Sequence, residues 1–476
     1  VLALSAAQLP AAAAVSQGAF RIGADSLWSA GYDGTGQTVA VVDEGFGGLD
    51  ESIALGELPP RAAMTLVSLD PVYGLDGRNE LGGPTQHGTR MAEIVHDVAP
   101  GARLVLVNYN TLADFRRATE WVAQRGIPVA SHSGSFLDGP FDGTGPAARA
   151  VDAAAAAGVL WVNSAGNFAQ RHWAGAATPE GTAVAIAPPV GGWLDLHLSW
   201  RDPAARASLE LQQQAPDGAW ATLATGSPSG PSSVAIPPSQ APAGTFRVLM
   251  RQLAGPPQQL ELMSGSLGLG AAAVPDGSVA TPGDAAGALT VGAVAWQQRT
   301  WAPFSSRGPT DDGRAKPDLV GPTYVTANVR WPGAGGTSAA TAHVAGAAAL
   351  VRQRRIAAGL PVGVADLRAA LTAGTDDLEA RGPDLLTGAG MLRLDDTAPA
   401  VGLRVVPAVP AVRVRTVDDG TLDRIEVRVG RTRTVVRRAT TTVRLRGLRG
   451  RALVRVTAVD MAGNRTERRV WVRGRR

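Results

Sequence analysis

The chain has 476 residues with 45 basic and 41 acidic side chains, no cysteine, 58 glycines and 33 prolines. The absence of thiols excludes a disulfide scaffold, a zinc ribbon and a cysteine nucleophile. The length points to about three domains, with ample chain for apolar cores. The formal charge is only +4 although the pI is near 10.0, because every basic residue except Lys316 is Arg. The charge is also unevenly placed: residues 401–476 hold 20 Arg against six acids, a net of +14, whereas the rest of the chain nets −10. Such asymmetry marks a surface for a polyanion; GC-rich coding accounts equally well for the preference for Arg over Lys.

In chain order, the opening VLALSAAQLPAAAAVS is small and apolar without a basic n-region, so residues 1–19 are expected to be a trimmed signal or pro-segment remnant, or an extension. Residues 34–43 (GTGQTVAVVD) form a turn followed by a continuous apolar run, the mark of a strand buried on both faces. Similar runs recur at 102–108, 126–130 and 159–163, alternating with helix-compatible stretches at 89–98, 113–125 and 146–157, the last opening on Pro146. Strands alternating with helices predict an α/β fold with a doubly wound, mostly parallel sheet, whose functional groups gather at the carboxyl ends of its strands. Between 175 and 277 the pattern changes to short alternating runs such as WLDLHLSW and TFRVLMRQL, which read as an inserted all-β sandwich module. The α/β character resumes at 278–397, with helices expected at 338–354 and 364–372. Residues 398–476 alternate again (IEVRVG, ALVRVTAVD, RRVWVR) and predict a basic C-terminal β-sandwich. No run of about 18 residues is free of both charge and polarity, since even 147–162 carries Arg149 and Asp152, so no membrane-spanning helix is expected.

Candidate chemistry sits at four places: Asp43 in VAVVDEGF, His87 in QHGTRMAEIV, Asn167 in VNSAGN and Ser338 in GGTSAATAHVAG. A serine hydroxyl needs an imidazole to take its proton and a carboxylate to hold that imidazole's tautomer. Gly335 and Gly336 allow close backbone approach before Ser338, and the apolar run after it predicts a helix whose N-terminal N–H groups favour developing negative charge. Asn167 offers a neutral side-chain donor beside that charge.

Together with FSSRGPTDDGRAKPDLVGP and GADSLWSAGYDGTGQTVAVVDEGF, these segments resemble the subtilisin-like serine peptidases, and the chain order Asp, His, Ser is that of the family. The likeness covers most of residues 20–395 once the insert is removed. It implies a catalytic domain of 20–174 and 278–397. It also implies a serine endopeptidase in which Asp43 orients His87, His87 acts as base and then acid, Ser338 attacks the carbonyl, and Asn167 with the Ser338 N–H forms the oxyanion hole. Activity should be lost below about pH 6, where an ordinary imidazole protonates. Substrate would lie as an added strand against Ser133, Gly134 and Ser135, with Ser164, Ala165 and Gly166 on the opposite wall of the pocket, while His132 either touches substrate or fills the wall.

The chain departs from the family pattern at Glu44, where Ser or Thr is usual, and at Ala342, where Pro is usual. Glu44 and Glu93 keep in view a sedolisin-type rival with a Glu base, against which Asn167 and the intact HGT block argue. A catalytically idle scaffold whose β-modules bind ligands is the rival from another class. The family resemblance implies protein or peptide substrates, secretion from a bacterial cell, no cofactor and no catalytic metal; a structural calcium has no ligand spacing that locates it. The insert resembles small sandwich domains of secreted bacterial peptidases and is expected to flank the cleft. The tail, similar to bacterial immunoglobulin-like repeats, is expected to associate weakly with an anionic surface. Nucleic acid is disfavoured because Trp471 is the only aromatic after residue 400.

Overall fold

The computed structural model describes residues 14–79, 83–176, 178–186, 193–240, 244–328, 333–357, 359–394, 400–406, 409–417, 422–445, 448–460 and 465–474. Much of the expected N-terminal extension (1–13) and the expected 397/398 boundary lie outside these residues. The chain divides into two compact units, Val1–Ser16 with Gly34–Leu392, and Gln17–Asp33 with Arg393–Arg476.

Helices α1 (Gln17–Arg21) and α2 (Ala24–Ser29) come first and belong to the second unit; the boundary expected at 19/20 falls inside α1. The first unit then runs β1 (Thr38–Asp43), α3 (Leu49–Leu55), β2 (Thr65–Ser68), α4 (His87–Val98), β3 (Arg103–Asn108), α5 (Leu112–Gln124), β4 (Val129–His132), α6 (Pro146–Ala156) and β5 (Leu160–Ser164). After the insert come β15 (Ala288–Ala295), β16 (Leu319–Thr323), α7 (Thr337–Ala357), α8 (Val364–Ala373), β17 (Thr375–Asp376) and β18 (Met391–Leu392). These strands form one nine-stranded sheet in the order β17-β18-β16-β15-β5-β4-β1-β3-β2, parallel except for β17. The apolar runs are continuous because both faces are covered. Ala40, Val42, Val105, Val107 and Ala130 pack under α5 and α6, while α4 and α7 contact each other and β1. From Thr337 to Val351 every residue of α7 is buried, so this helix shows no polar stripe in sequence.

The insert supplies β6 (His172–Ala176), β7 (Thr182–Ile186), β8 (Trp193–Trp200), β9 (Arg206–Gln214), β10 (Trp220–Thr225), β11 (Ser227–Gly230), β12 (Ser233–Gln240), β13 (Phe246–Ala254) and β14 (Gln259–Ser264). They pair as two antiparallel sheets, β10-β9-β13-β7 and β11-β12-β8-β14-β6. Leu196, Leu198, Leu260 and Leu262 of one sheet meet Leu209, Leu211 and Val248 of the other in a single core, as alternation requires of a sandwich.

The second unit adds β19 (Ala400–Val405), β20 (Ala411–Val417), β21 (Leu422–Val429), β22 (Thr432–Val436), β23 (Thr440–Arg444), β24 (Arg451–Asp460) and β25 (Arg465–Arg473). Its sheets, β19-β20-β23 and β22-β21-β24-β25, enclose Val412, Val414, Ile425, Val427, Val454, Val456 and Val472.

Candidate active site

Asp43 ends β1 and is 2% exposed. Its carboxylate accepts the Glu44 N–H at 2.9 Å and faces His87 Nδ1 at 2.8 and 2.9 Å. A carboxylate can only accept here, so Nδ1 carries the proton and Nε2 is left as the basic nitrogen. His87 is the first residue of α4, brought against β1 by its neighbours. A Cβ on Gly88 would come within 2.6 Å of Gly45 O and 2.8 Å of the Asp43 Cβ, so only glycine lets the helix start this close, and Thr89 Oγ1 ties the turn to Gly47 O at 2.9 Å. Burial pulls the imidazole pKa down, but the Asp43 charge and hydrogen bond, helped by Glu44, together outweigh it and leave His87 above its ordinary 6.5. The expected acid limb near pH 6 therefore moves upward.

Ser338 stands at the second position of α7 and is 6% exposed. Asn167 Oδ1 accepts both Thr337 N at 2.9 Å and Thr337 Oγ1 at 3.1 Å. With its oxygen committed in this way, the Asn167 amide has Nδ2 left to donate next to the start of α7. Thr323 Oγ1 donates to Gly336 O at 3.1 Å, and Gly336 turns into the helix at φ +96°. Because β1 and β16 are parallel members of one sheet, α4 and α7 both start at its carboxyl edge and run back along it side by side. His87 and Ser338 thus open neighbouring helices at one rim. The structure joins Asp43 to His87 and Asn167 to Thr337; among the described residues no hydrogen bond links Ser338 Oγ with His87. Such contacts in a serine–histidine pair commonly tighten only when substrate binds.

The two expected walls differ in how their backbones are used. Ala165 N donates to Val291 O, Ala165 O accepts from Ala280, and Gly166 O accepts from Ser306, so residues 164–166 are held from within the protein. Ser133, Gly134 and Ser135 are half-buried and enter no hydrogen bond among the described residues, which leaves them an edge for an added strand. Beneath that edge lies a network the sequence reading did not find. Tyr109 OH donates to His132 Nε2 at 2.9 Å, His132 Nδ1 donates to Asn163 Oδ1 at 2.7 Å, and Trp161 Nε1 donates to the same oxygen at 3.2 Å. His132 is fully buried among Tyr109, Phe115 and Trp161, and burial lowers its pKa to about 4. It is a neutral part of the wall.

The chain beyond the edge is held both by the segment that follows the insert and by the insert itself. Phe136 N bonds Thr281 O at 2.8 Å, and Leu137, Phe141 and Phe168, the residue after Asn167, pack with Met263 of β14 and Ala280. His197 of β8 sits between Asp138 and Asp195, each 2.9 Å from a ring nitrogen, while Ser229 Oγ donates to Asp138 at 2.7 Å. Burial lowers the His197 pKa, but its hydrogen bonds and charges from both aspartates raise it overall to about 9. Nearby, the Asp311 carboxyl is pushed up to about 8 by burial and by Glu261 of β14.

Other titratable groups of these segments are engaged elsewhere. Glu93 accepts from Ser52 Oγ and twice from Asn328 Nδ2, a structural use of the carboxylate considered as a rival base. His343 donates from Nδ1 to Ala339 O at 2.7 Å and meets Ser16 Oγ with Nε2 at 2.8 Å; burial takes it to about 4. A cavity of about 680 Å³ between α5 and α6 contains none of these residues. Among the described residues no group of three His, Asp or Glu side chains could hold a metal ion, and no helix is long and apolar enough to cross a membrane.

Residues 267–390, which include Ser338, match the Subtilase family (Peptidase S8). The Clostridium perfringens CspB protease is a similar solved structure, at a TM-score of 0.56 and 18% identity over 79% of this chain and 96% of that one. A lanthipeptide protease is also similar, at a TM-score of 0.44 and 16% identity over 79% of this chain and 91% of its own.

Proposed function

We propose that the chain is a subtilisin-like serine endopeptidase working through Asp43, His87 and Ser338, a reading supported by the match of residues 267–390 to the Subtilase family. Its catalytic domain is residues 20–174 and 278–397, with 175–277 as the inserted module. Ser338 Oγ attacks the scissile carbonyl carbon while His87 Nε2 takes the hydroxyl proton. Asp43 holds Nδ1–H and balances the imidazolium. The oxyanion is met by Asn167 Nδ2–H and the Ser338 N–H, with the N-terminus of α7 adding its dipole. His87 then returns the proton to the leaving amine, giving an acyl-enzyme and one product. A water, deprotonated by His87, hydrolyses the ester and restores Ser338. An extended substrate pairs with Ser133, Gly134 and Ser135 and sets its side chain against Ser164, Ala165 and Gly166.

The observation that carries this reading is the Asp43–His87 bond, which leaves Nε2 unprotonated at the rim where α7 begins. Labelling with a serine-directed fluorophosphonate tests it. The parent should label and cleave peptides, whereas Ser338→Ala should do neither; labelling that survives in Ser338→Ala refutes the assignment. Lowering pH should abolish activity with a midpoint above 6.5, since the raised imidazole pKa protonates the base earlier on descent.

We further propose secretion, on family resemblance, and salt-sensitive association of the arginine-rich C-terminal unit with an anionic surface. The net charge of +14 over residues 401–476 supports the second reading.

A further inference from the structure

In the four-stranded sheet of the C-terminal unit, strand register assembles a row of arginines. Arg433 stands opposite Arg428 in the β22–β21 pair, Arg428 opposite Arg455 in β21–β24, and Arg455 opposite Arg469 in β24–β25. Directly opposed residues share a sheet face, and all four are exposed, while Val427, Val454 and Val456 beside them turn into the core. Four positions along, Arg451 opposes Arg473, again exposed and, by the two-residue period, on the same face. Between these rows stands Trp471, opposite Leu453 and 53% exposed, with the Arg451 guanidinium 4.6 Å from its ring centroid.

Like charges placed directly opposite destabilise a sheet. An Arg-rich composition accounts for how many guanidinium groups there are, not for their alignment across four strands. Glu426 pairs with Arg428 at 3.4 Å and Arg433 at 2.5 Å, and Glu467 with Arg469 at 2.6 Å. Among the described residues this face sets two carboxylates, Glu426 and Glu467, against the six arginines above and Arg424 and Arg465 as well, which leaves it strongly positive. At the usual strand spacing of about 4.8 Å the row of four spans about 14 Å, a file of arginines across the strands suited to carboxylates presented at regular intervals.

We propose that this face binds a linear acidic polysaccharide, the arginine row meeting the carboxylates of successive uronate sugars while Trp471 stacks on a sugar face. A uronate polymer repeats one carboxylate per sugar and also offers the apolar C–H face that an exposed indole covers. A polyphosphate has the charge without that face. A nucleic acid strand draws on several stacking platforms, whereas Trp471 is the only aromatic side chain in residues 401–476. The inference rests on the anionic-surface reading above and is independent of the peptidase chemistry.

Retention of the full chain on immobilised polygalacturonate tests it, with the triple variant Arg428→Gln, Arg455→Gln, Arg469→Gln compared with a control triple, Arg404→Gln, Arg413→Gln, Arg415→Gln, which removes equal charge from exposed positions of the other sheet. The parent should bind at low salt and release as salt rises. The row variant should bind roughly tenfold more weakly and the control within about twofold of the parent. Trp471→Ala should weaken binding to polygalacturonate and leave any binding to long-chain polyphosphate unchanged. Equal losses in both triples would show net charge alone at work and overturn the row. Equal or tighter binding of the parent to polyphosphate or single-stranded DNA would overturn the polysaccharide. A parent that binds none of the three polymers would overturn the anionic-surface reading itself. Unchanged melting temperatures of the variants confirm that binding, not folding, was altered.

Discussion

The inserted module and the C-terminal unit are both two-sheet antiparallel sandwiches with alternating strands, yet they handle charge in opposite ways. In the insert, ionisable groups lie at a seam with the α/β domain: His197 between Asp138 and Asp195, and Glu261 against Asp311. In the C-terminal unit the arginines point outward into solvent. Burial makes a charge sensitive to protonation because solvent no longer screens it, whereas exposure leaves it sensitive to ionic strength. The first sandwich therefore carries its titratable groups at a buried seam, braced against both the chain beyond Ser135 and the residue after Asn167. The second carries its charge exposed, where ionic strength screens it.

The comparison breaks first at Met263, whose side chain joins the insert to Phe168 and Leu137. Met263→Ala should lower stability by about 3 kcal/mol and reduce kcat on peptide substrates through the Asn167 segment, read by thermal melting and steady-state kinetics. His197→Gln should cost about 2 kcal/mol, as expected for a partly buried ion pair. Because the folded pKa of about 9 exceeds the ordinary 6.5, that contribution is complete below pH 6.5 and is lost as pH rises through 9. Parent and variant melting temperatures should thus converge in alkali, and a constant gap would refute the assignment. Asp311 also lowers stability as pH rises, but it does so as a growing cost and not as a lost gain. Its proton is held up to about 8 in the fold but leaves near 3.8 in the unfolded chain, so the cost grows across that window. Asp311→Asn should stabilise by roughly 1 kcal/mol at pH 8 and by nothing below pH 4. The smallest effect belongs to the C-terminal unit. Hydrogen bonds from Arg433 and Arg424 hold Glu426 down at about 2 despite burial, a contribution present above pH 4.5 and lost as pH falls toward 2. Glu426→Gln should change stability by less than about 1 kcal/mol at pH 7 while strengthening retention on polygalacturonate; an effect as large as that of His197→Gln would erase the contrast.

The positions of Asp43 and His87 were legible because each is set locally. A continuous apolar run ending in Asp predicts a buried strand with a carboxylate at its end, and His-Gly-Thr predicts a helix start that can approach it. The helices expected at 89–98, 113–125 and 146–157 formed as His87–Val98, Leu112–Gln124 and Pro146–Ala156. Strand β2 was missed, since TLVS is short and only half-buried at the sheet edge. Thr337, which fixes the Asn167 amide through its oxygen, was passed over beside the more conspicuous Ser338; its place one residue before the serine was the available signal. The role of His132 stayed open in sequence because its partners Tyr109 and Asn163 come from the ends of neighbouring chain segments.

Lys316 marks the boundary between the two kinds of knowledge. The sequence shows it as the only lysine among arginines, and only the fold shows why an ammonium stands there: buried, it donates to Ala288 O, Thr290 Oγ1 and Asp318, a tight three-donor site unsuited to a planar guanidinium. Sequence by itself determined the alternation of strand and helix, the two sandwiches and the charge asymmetry, and singled out Asp43, His87, Asn167 and Ser338 as candidates, because periodicity and short motifs are properties of neighbouring residues. Tertiary structure decided the tyrosine–histidine network under residues 133–135, the clamp at His197 and the arginine row, because each depends on which distant strands pair and in what register.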